Sequence, residues 1–150
     1  MADYPAPAEE LNTGLLLFIP YRALENRVFD ALAAAGFADL TPAQARVFQR
    51  VGPHGTRLTD LAAQARITKQ SASVLVRELE DNAYISRIPD PSDARARLIV
   101  IGPRGAEAIP VAARCIAEVE AEWQAFLGTR QYRQLRGALT NLRQLTDPYL

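Results

Sequence analysis

Along most of this chain apolar residues return at steps of three and four, and only two short runs break that rhythm. The pattern predicts a set of helices with one small hairpin. From Leu11 to Gly36 the positions Leu17, Tyr21, Leu24, Val28, Leu32 and Ala35 form one stripe of a long helix, with Gly36 as its stop. Pro20 removes a backbone donor inside that stretch, so a kink is expected there, or a helix that in effect begins there. Near the other end Ile109, Ala112, Ile116, Val119, Trp123 and Phe126 step in strict alternation, a seven-residue repeat. Pro110 is tolerable only in the first turns of that helix. Gly128-Thr129 ends it, with Thr129 expected to cap a last helix whose stripe is Tyr132, Leu135, Leu139, Leu142, Leu145 and Tyr149. Residues 1–10, with Pro5 and Pro7, read as a frayed tail.

Between the long helices lie shorter elements. Thr41-Pro42 supplies an N-cap and a first-position proline for a helix through Ala45, Val47, Phe48 and Val51, which Gly52-Pro53 breaks. The following loop holds the only histidine, His54, with no partners in sequence that would give it chemistry. A short third helix starts at Leu58-Thr59-Asp60, with Thr59 expected as cap and Asp60 placed where a helix N-terminus favours negative charge. Thr68 then caps a fourth helix reaching about Asn82. Tyr84–Ile88 and Arg97–Ile101 read as a strand and its return, joined by a long tip, Pro89–Ala96.

The fourth helix has two distinct faces. Ala72, Leu75, Val76 and Leu79 fall on one stripe; Lys69, Gln70, Ser73, Val74 and Arg77 fall on another. The second stripe suits a DNA major groove. Lys69 or Arg77 can reach guanine acceptors or phosphates, Gln70 can pair with adenine, and Val74 can meet a thymine methyl. Ser71 and Ser73 are small enough for close approach and can bond phosphate oxygens. A solvated polar face explains the same stripe equally well; the hairpin tips the balance. Its tip carries Asp93 two residues before Arg95, a spacing at which a carboxylate can hold a guanidinium extended toward a narrow minor groove.

Composition changes this picture little. The 150 residues, 49% hydrophobic and 23% charged, suit one globular domain or one protomer of a small assembly. Seventeen basic and seventeen acidic side chains cancel, yet residues 57–104 are net +2 and the first 56 are net −2. One cysteine, Cys115, excludes an intrachain disulfide and reads as a buried small hydrophobe. The N-terminus has no basic region, and its apolar run is too short for a signal or a membrane span, so a cytoplasmic location and no membrane partner are expected. With one His, one Cys, no metal-ligand cluster and no glycine-rich phosphate loop, no catalytic or metal site, no cofactor and no enzyme activity are expected.

The stretch from Leu58 to Gly105 resembles the winged helix-turn-helix of the MarR (multiple antibiotic resistance regulator) family. The family's wing reads Asp-x-Arg, a hydrophobic strand, then Leu-Thr-x-x-Gly; Asp93-Ala94-Arg95, Ile99, Ile101 and Gly105 stand at matching offsets. Leu40-Thr41-Pro42-Ala43-Gln44 is similar to its Leu-Thr-x-x-Gln entry, and Leu79-Glu80 with Tyr84-Ile85 to its recognition-helix exit. The likeness covers residues 11–147. Gly102 replaces a usual Thr but can still open a helix, and Ala94 replaces a frequent Arg, removing one wing charge.

The resemblance implies a mainly α fold with a small β-wing: a winged helix-turn-helix over 41–103 and dimerisation helices over 11–36 and 104–149. It implies a homodimeric transcriptional repressor on a pseudo-palindromic operator, with half-sites ~10–10.5 bp apart. The DNA-binding set would be Thr68, Lys69, Gln70, Ser71, Ser73, Val74 and Arg77 on the helix, with Arg87, Asp93, Arg95 and Arg97 on the wing. Family members are released from DNA by small aromatic effectors, for which Phe18, Tyr21, Arg22 and Phe48 are the candidate lining. The reactive cysteine of peroxide-sensing members lies in their N-terminal helix, where this chain has none. The competing reading is a winged-helix module that binds protein rather than DNA.

Overall fold

In the computed structural model, which describes residues 11–147, the elements run α1 (Thr13–Ala34), α2 (Pro42–Phe48), α3 (Leu58–Ala65), α4 (Lys69–Asp81), β1 (Ile85–Asp90), β2 (Asp93–Ile101), α5 (Pro103–Leu127) and α6 (Thr129–Thr146). The tail at 1–10 and Tyr149 lie outside the described residues. The fold is mainly helical with one antiparallel two-stranded wing, as the sequence implied.

Capping decides most boundaries. Asn12 Oδ1 accepts the Leu15 N–H at 2.9 Å, so α1 starts at Thr13, about two turns before Pro20, and runs through it. The expected start at Pro20 is corrected: the Asn12 cap satisfies a free donor, and α1 tolerates the one bond that proline cannot make. Thr41 and Gln44 form a reciprocal capping box at 3.2 Å each way, which fixes α2 behind Pro42. Thr68 caps α4 through Ser71 N–H at 3.1 Å. Two expected caps fail. Thr59 lies inside α3, whose N-cap is Arg57 without a side-chain bond, and Thr129 is the first residue of α6 behind Gly128.

Two residues without glycine's freedom turn the chain on either side of α4. Arg66 (φ 55°) ends α3, and Ala83 (φ 63°) follows α4. Each left-handed residue costs roughly 1–2 kcal/mol. Closing hydrogen bonds offset it: Ile67 N–H to Ala62 O at 3.1 Å, and Tyr84 N–H to Leu79 O at 2.9 Å. The first turn aims α4 away from α3; the second feeds the chain into β1.

The hairpin is tighter at its end than expected. Ile85–Pro89 pairs in register with Ile101–Arg97, then the register jumps so that Asp90 faces Asp93. Residues 94–96 are left over on β2, a bulge, and the turn itself is Pro91-Ser92. The expected long tip is thus a short turn plus a bulged strand, because Asp90 folds back on Ser92. A bridge from Thr56 to Ile99 flanks β2 on its other edge.

The core joins α2, α3, α4, the wing base and α5. Leu61, Val76, Leu79, Tyr84, Ile85 and Ile99 are completely or almost completely buried. α1 packs along α5, and α5 against α6. Gly105 allows α5 to press on the wing base: a Cβ there would lie 2.3 Å from Tyr84 O and 2.8 Å from the Phe48 ring. Cys115 is buried in α5. Among the described residues no helix is long and apolar enough to cross a membrane.

Candidate nucleic-acid interface

The inner stripe of α4 anchors its outer one. Ala72, Val76 and Leu79 are fully buried, which leaves Lys69, Gln70, Ser71, Val74 and Arg77 exposed and Ser73 half-buried. Val74 is 53% exposed, an apolar side chain in the middle of this polar face. Gln44 is buried and does two jobs: its Oε1 closes the capping box, and its Nε2 donates to Glu78 Oε2 at 2.8 Å. That bond ties the helix pair together behind the exposed face. Thr68 and Ser71 spend their hydroxyls partly on each other, at 2.9 Å.

The wing is held by a different set. Asp90, buried at the hairpin end, accepts from Ser92 N–H at 2.8 Å, Ser92 Oγ at 2.7 Å, and Arg57 Nε and Nη2 at 2.9 and 2.7 Å. The Ser92 hydroxyl and N–H, with the Arg57 guanidinium, pull its carboxyl down to about 2. Arg57, at the start of α3, thereby fixes the wing tip against the helical part. Arg87 Nε donates to Glu80 Oε2 at 3.0 Å, which ties β1 to the end of α4. Arg97 Nη2 donates to Arg87 O at 3.3 Å.

One expected contact is corrected. Asp93 does not grip the Arg95 guanidinium; its Oδ1 accepts the Arg95 backbone N–H at 3.0 Å. The two-residue spacing favours that local turn because the amide is nearer than the end of a long side chain. Arg95 is exposed, and its guanidinium, like the charges of Lys69 and Arg77, has no ion pair among the described residues. The wing and α4 thus combine arginines tied into the surface by a carboxylate or a backbone carbonyl with three outward-facing cations, Lys69, Arg77 and Arg95, whose charges make neither contact among the described residues.

A third anchor lies where the wing meets α5. Tyr84 donates its hydroxyl to Asp39 Oδ1 at 2.6 Å, and Arg104 donates to Asp39 at 2.5 and 2.9 Å and to Gly36 O at 2.9 Å. The Arg104 guanidinium lies 4.7 Å from the Tyr84 ring centroid and 5.5 Å from that of Phe37. Burial, then the Asp39 bond, pushes the Tyr84 phenol up to about 12, and Arg104 holds Asp39 below the usual carboxylate range.

Beside this anchor a cleft of about 620 Å³ opens between α1, α2 and α5. Tyr21 and Phe48 line it together, with Val28, Phe29, Ala112 and Ile116 among its apolar walls. Phe18 and Arg22 do not line it. They sit one turn apart on another side of α1, with the Arg22 guanidinium 5.9 Å from the Phe18 ring. A second groove, lined by Leu17, Trp123, Phe126 and Leu139 among others, runs between α1, α5 and α6.

Arg57, Asp90, Ser92, Asp39 and Arg104 were not singled out as site residues from sequence, and Glu80 and Tyr84 entered only through the resemblance at the recognition-helix exit. Asp90-Pro91-Ser92 does carry an Asx-turn signal. The partners of the long-range pairs lie 33 and 65 residues apart, where spacing says nothing.

Comparison with known proteins finds a family match inside the winged segment. Residues 38–96 match the family model described as "MarR family". That match covers less than half of the chain and lies in its winged segment. Over 87 residues the chain is 31% identical to an uncharacterised HTH-type transcriptional regulator of Mycobacterium bovis, an alignment covering 58% of this chain and 61% of that protein. The chain thus spans about three fifths of the curated relatives it matches. Solved structures share the fold over nearly the whole length. A crystal structure of MarR superposes with TM-score 0.72 at 23% identity, covering 91% of this chain and 98% of that one. CouR of Rhodococcus jostii RHA1, crystallised with p-coumaroyl-CoA, gives 0.69 at 22% identity, covering 97% and 99%. The MarR-type winged helix is therefore the fold of this chain.

Proposed function

We propose that two copies of this chain bind duplex DNA as a transcriptional repressor, each placing α4 in a major groove and its wing beside a minor groove. One observation carries the reading: Lys69 and Arg77 on α4 and Arg95 on the wing are exposed and have no ion pair among the described residues, while Arg57 and Arg87 are consumed in holding the surface rigid. Gln70 and Val74 add a base-reading amide and an apolar contact to the same face. The apolar groove between α1, α5 and α6 supports pairing with a second copy. The Tyr21–Phe48 cleft supports control by a small aromatic effector, as does the ligand bound by the similarly folded CouR.

The test is a salt titration of binding to labelled duplexes from the DNA directly upstream of the chain's own gene. Arg95→Ala is expected to weaken binding and lower the slope of log K against log salt by about one. Equal affinity for a scrambled duplex would refute the specific reading. An unchanged slope in the variant would remove the wing from it.

A further inference from the structure

The cleft between α1, α2 and α5 is one-sided in charge. Its ionisable lining residues are Tyr21 and Glu25, and no Lys, Arg or His lines it among the described residues. Gln49 is the remaining polar side chain, and the other walls are apolar. Tyr21 donates its hydroxyl to Glu25 Oε2 at 3.0 Å. Burial and the bond to Glu25 push the phenol up, so it stays a neutral donor. The nearby cations lie outside the cleft. Arg46 acts on Tyr21 electrostatically from the exposed side of α2, Arg22 lies over Phe18, and Arg27 is held by Glu122.

We propose that this cleft selects neutral or cationic aromatic ligands and rejects carboxylates, with Glu25 as the specificity-determining residue. The proposal rests on the cleft being an effector site. Its apolar walls suit an aromatic ring and leave polar recognition to the Tyr21–Glu25 pair and the uncharged Gln49 amide. A ligand ammonium donates to the Glu25 carboxylate as an ion pair. A ligand hydroxyl donates to Glu25, and accepts from Tyr21 once the phenol turns its one O–H from the carboxylate to the ligand. A ligand carboxylate would lose water beside a like charge, with no lining cation to replace that water.

Calorimetric titration of the full chain with 4-hydroxyphenethylamine, 4-hydroxyphenethyl alcohol and 4-hydroxyphenylacetate varies the charge on a common ring. The amine is expected to bind at least about tenfold more tightly than the acid, with the alcohol between them. In Glu25→Gln the amine and the acid should come within about threefold of each other. Ala112→Trp, which fills the cleft, should abolish binding of all three. Acid binding as tight as the amine's, and lost in Ala112→Trp, overturns the charge selection while leaving the cleft as the effector site. A preference that survives Glu25→Gln overturns the role of Glu25. No binding by any probe, or binding that survives Ala112→Trp, brings down the effector-site reading and the selection with it.

Discussion

The winged part and the terminal helices differ in how far they bury their own apolar surface. In the winged part Leu61, Val76 and Leu79 are fully enclosed, and each buried side-chain nitrogen or oxygen among the described residues has a hydrogen-bond partner. On the terminal helices Phe126 is 88% exposed and Leu145 85%, Ile19 and Leu142 are exposed too, and exposed Leu16, Leu17, Leu135 and Leu139 share one groove with Phe126. A monomeric protein scatters single exposed apolar residues, but a contiguous set of this kind marks a surface that something covers. The contrast locates the two tasks: one part finished within the chain, and one left open for a partner.

The hardest blow to that contrast is charge on the open face. Leu135→Glu with Leu139→Glu would bury two carboxylates on pairing, at a cost of several kcal/mol. The double variant is expected to sediment as a monomer where the parent sediments as a dimer, and to lose more than about 100-fold in operator affinity. A parent that is itself monomeric, or a variant that still pairs, would break the comparison at its root.

Truncation inside the closed part should behave differently. Leu79→Ala removes a fully buried side chain, at ~2–5 kcal/mol, lowering the melting temperature by about 5–15 °C whatever the protein concentration. Phe126→Ala is the sharpening control. Its loss in melting temperature should grow as the protein is concentrated if a second copy covers Phe126, and stay near zero if none does.

The same contrast governs what could be read from sequence. The buried stripe of α4, the Thr41 and Thr68 caps and the alternation of the strands were legible because each is a local pattern with a local cause. The turns at Arg66 and Ala83 were not, since neither carries the glycine or asparagine that normally marks a left-handed residue. Thr59 and Thr129 misled as caps because a threonine one or two positions inside a helix looks the same on paper. The exposed face of the candidate site, Lys69 to Arg77 with Arg95, followed from periodicity and the wing motif. What holds it, Arg57 on Asp90 and Gln44 on Glu78, depends on partners tens of residues away. Of the four residues expected to line a cleft, Tyr21 and Phe48 both line the one between α1, α2 and α5, whereas Phe18 and Arg22 share a stripe that faces elsewhere.

Arg57 permits a finer cut between building a surface and touching a ligand. Arg57→Gln leaves Asp90 with its Ser92 bonds but frees the wing tip from α3. Operator binding is expected to weaken about tenfold while the salt slope stays that of the parent, because no phosphate contact is lost. A slope lower by one would place Arg57 among the groups that touch DNA and erase the division between paired and unpaired arginines.

The smallest expected effect is on the pH dependence of stability, and it again separates the two parts. The Asp90 carboxyl lies near 2 in the fold, below its ordinary 3.8, so the unfolded chain binds a proton there more readily than the folded one. The stability it contributes is complete above the ordinary carboxylate range and is lost as pH falls through about 2. Asp90→Asn should therefore flatten the loss of melting temperature between about pH 4 and pH 2. Tyr84 acts at the opposite end: its phenol is raised to about 12, so its contribution is whole below about pH 10 and fades as pH rises through 12, and Tyr84→Phe should flatten that limb. On the terminal helices Glu122 is also lowered by Arg27, but both side chains are largely exposed to water. Screening should leave Glu122→Gln with a smaller acid effect than Asp90→Asn. If the two variants flattened the acid limb equally, the ion pair on the open helices would be as well sheltered as the one under the wing, and the distinction between the parts would rest on apolar surface alone.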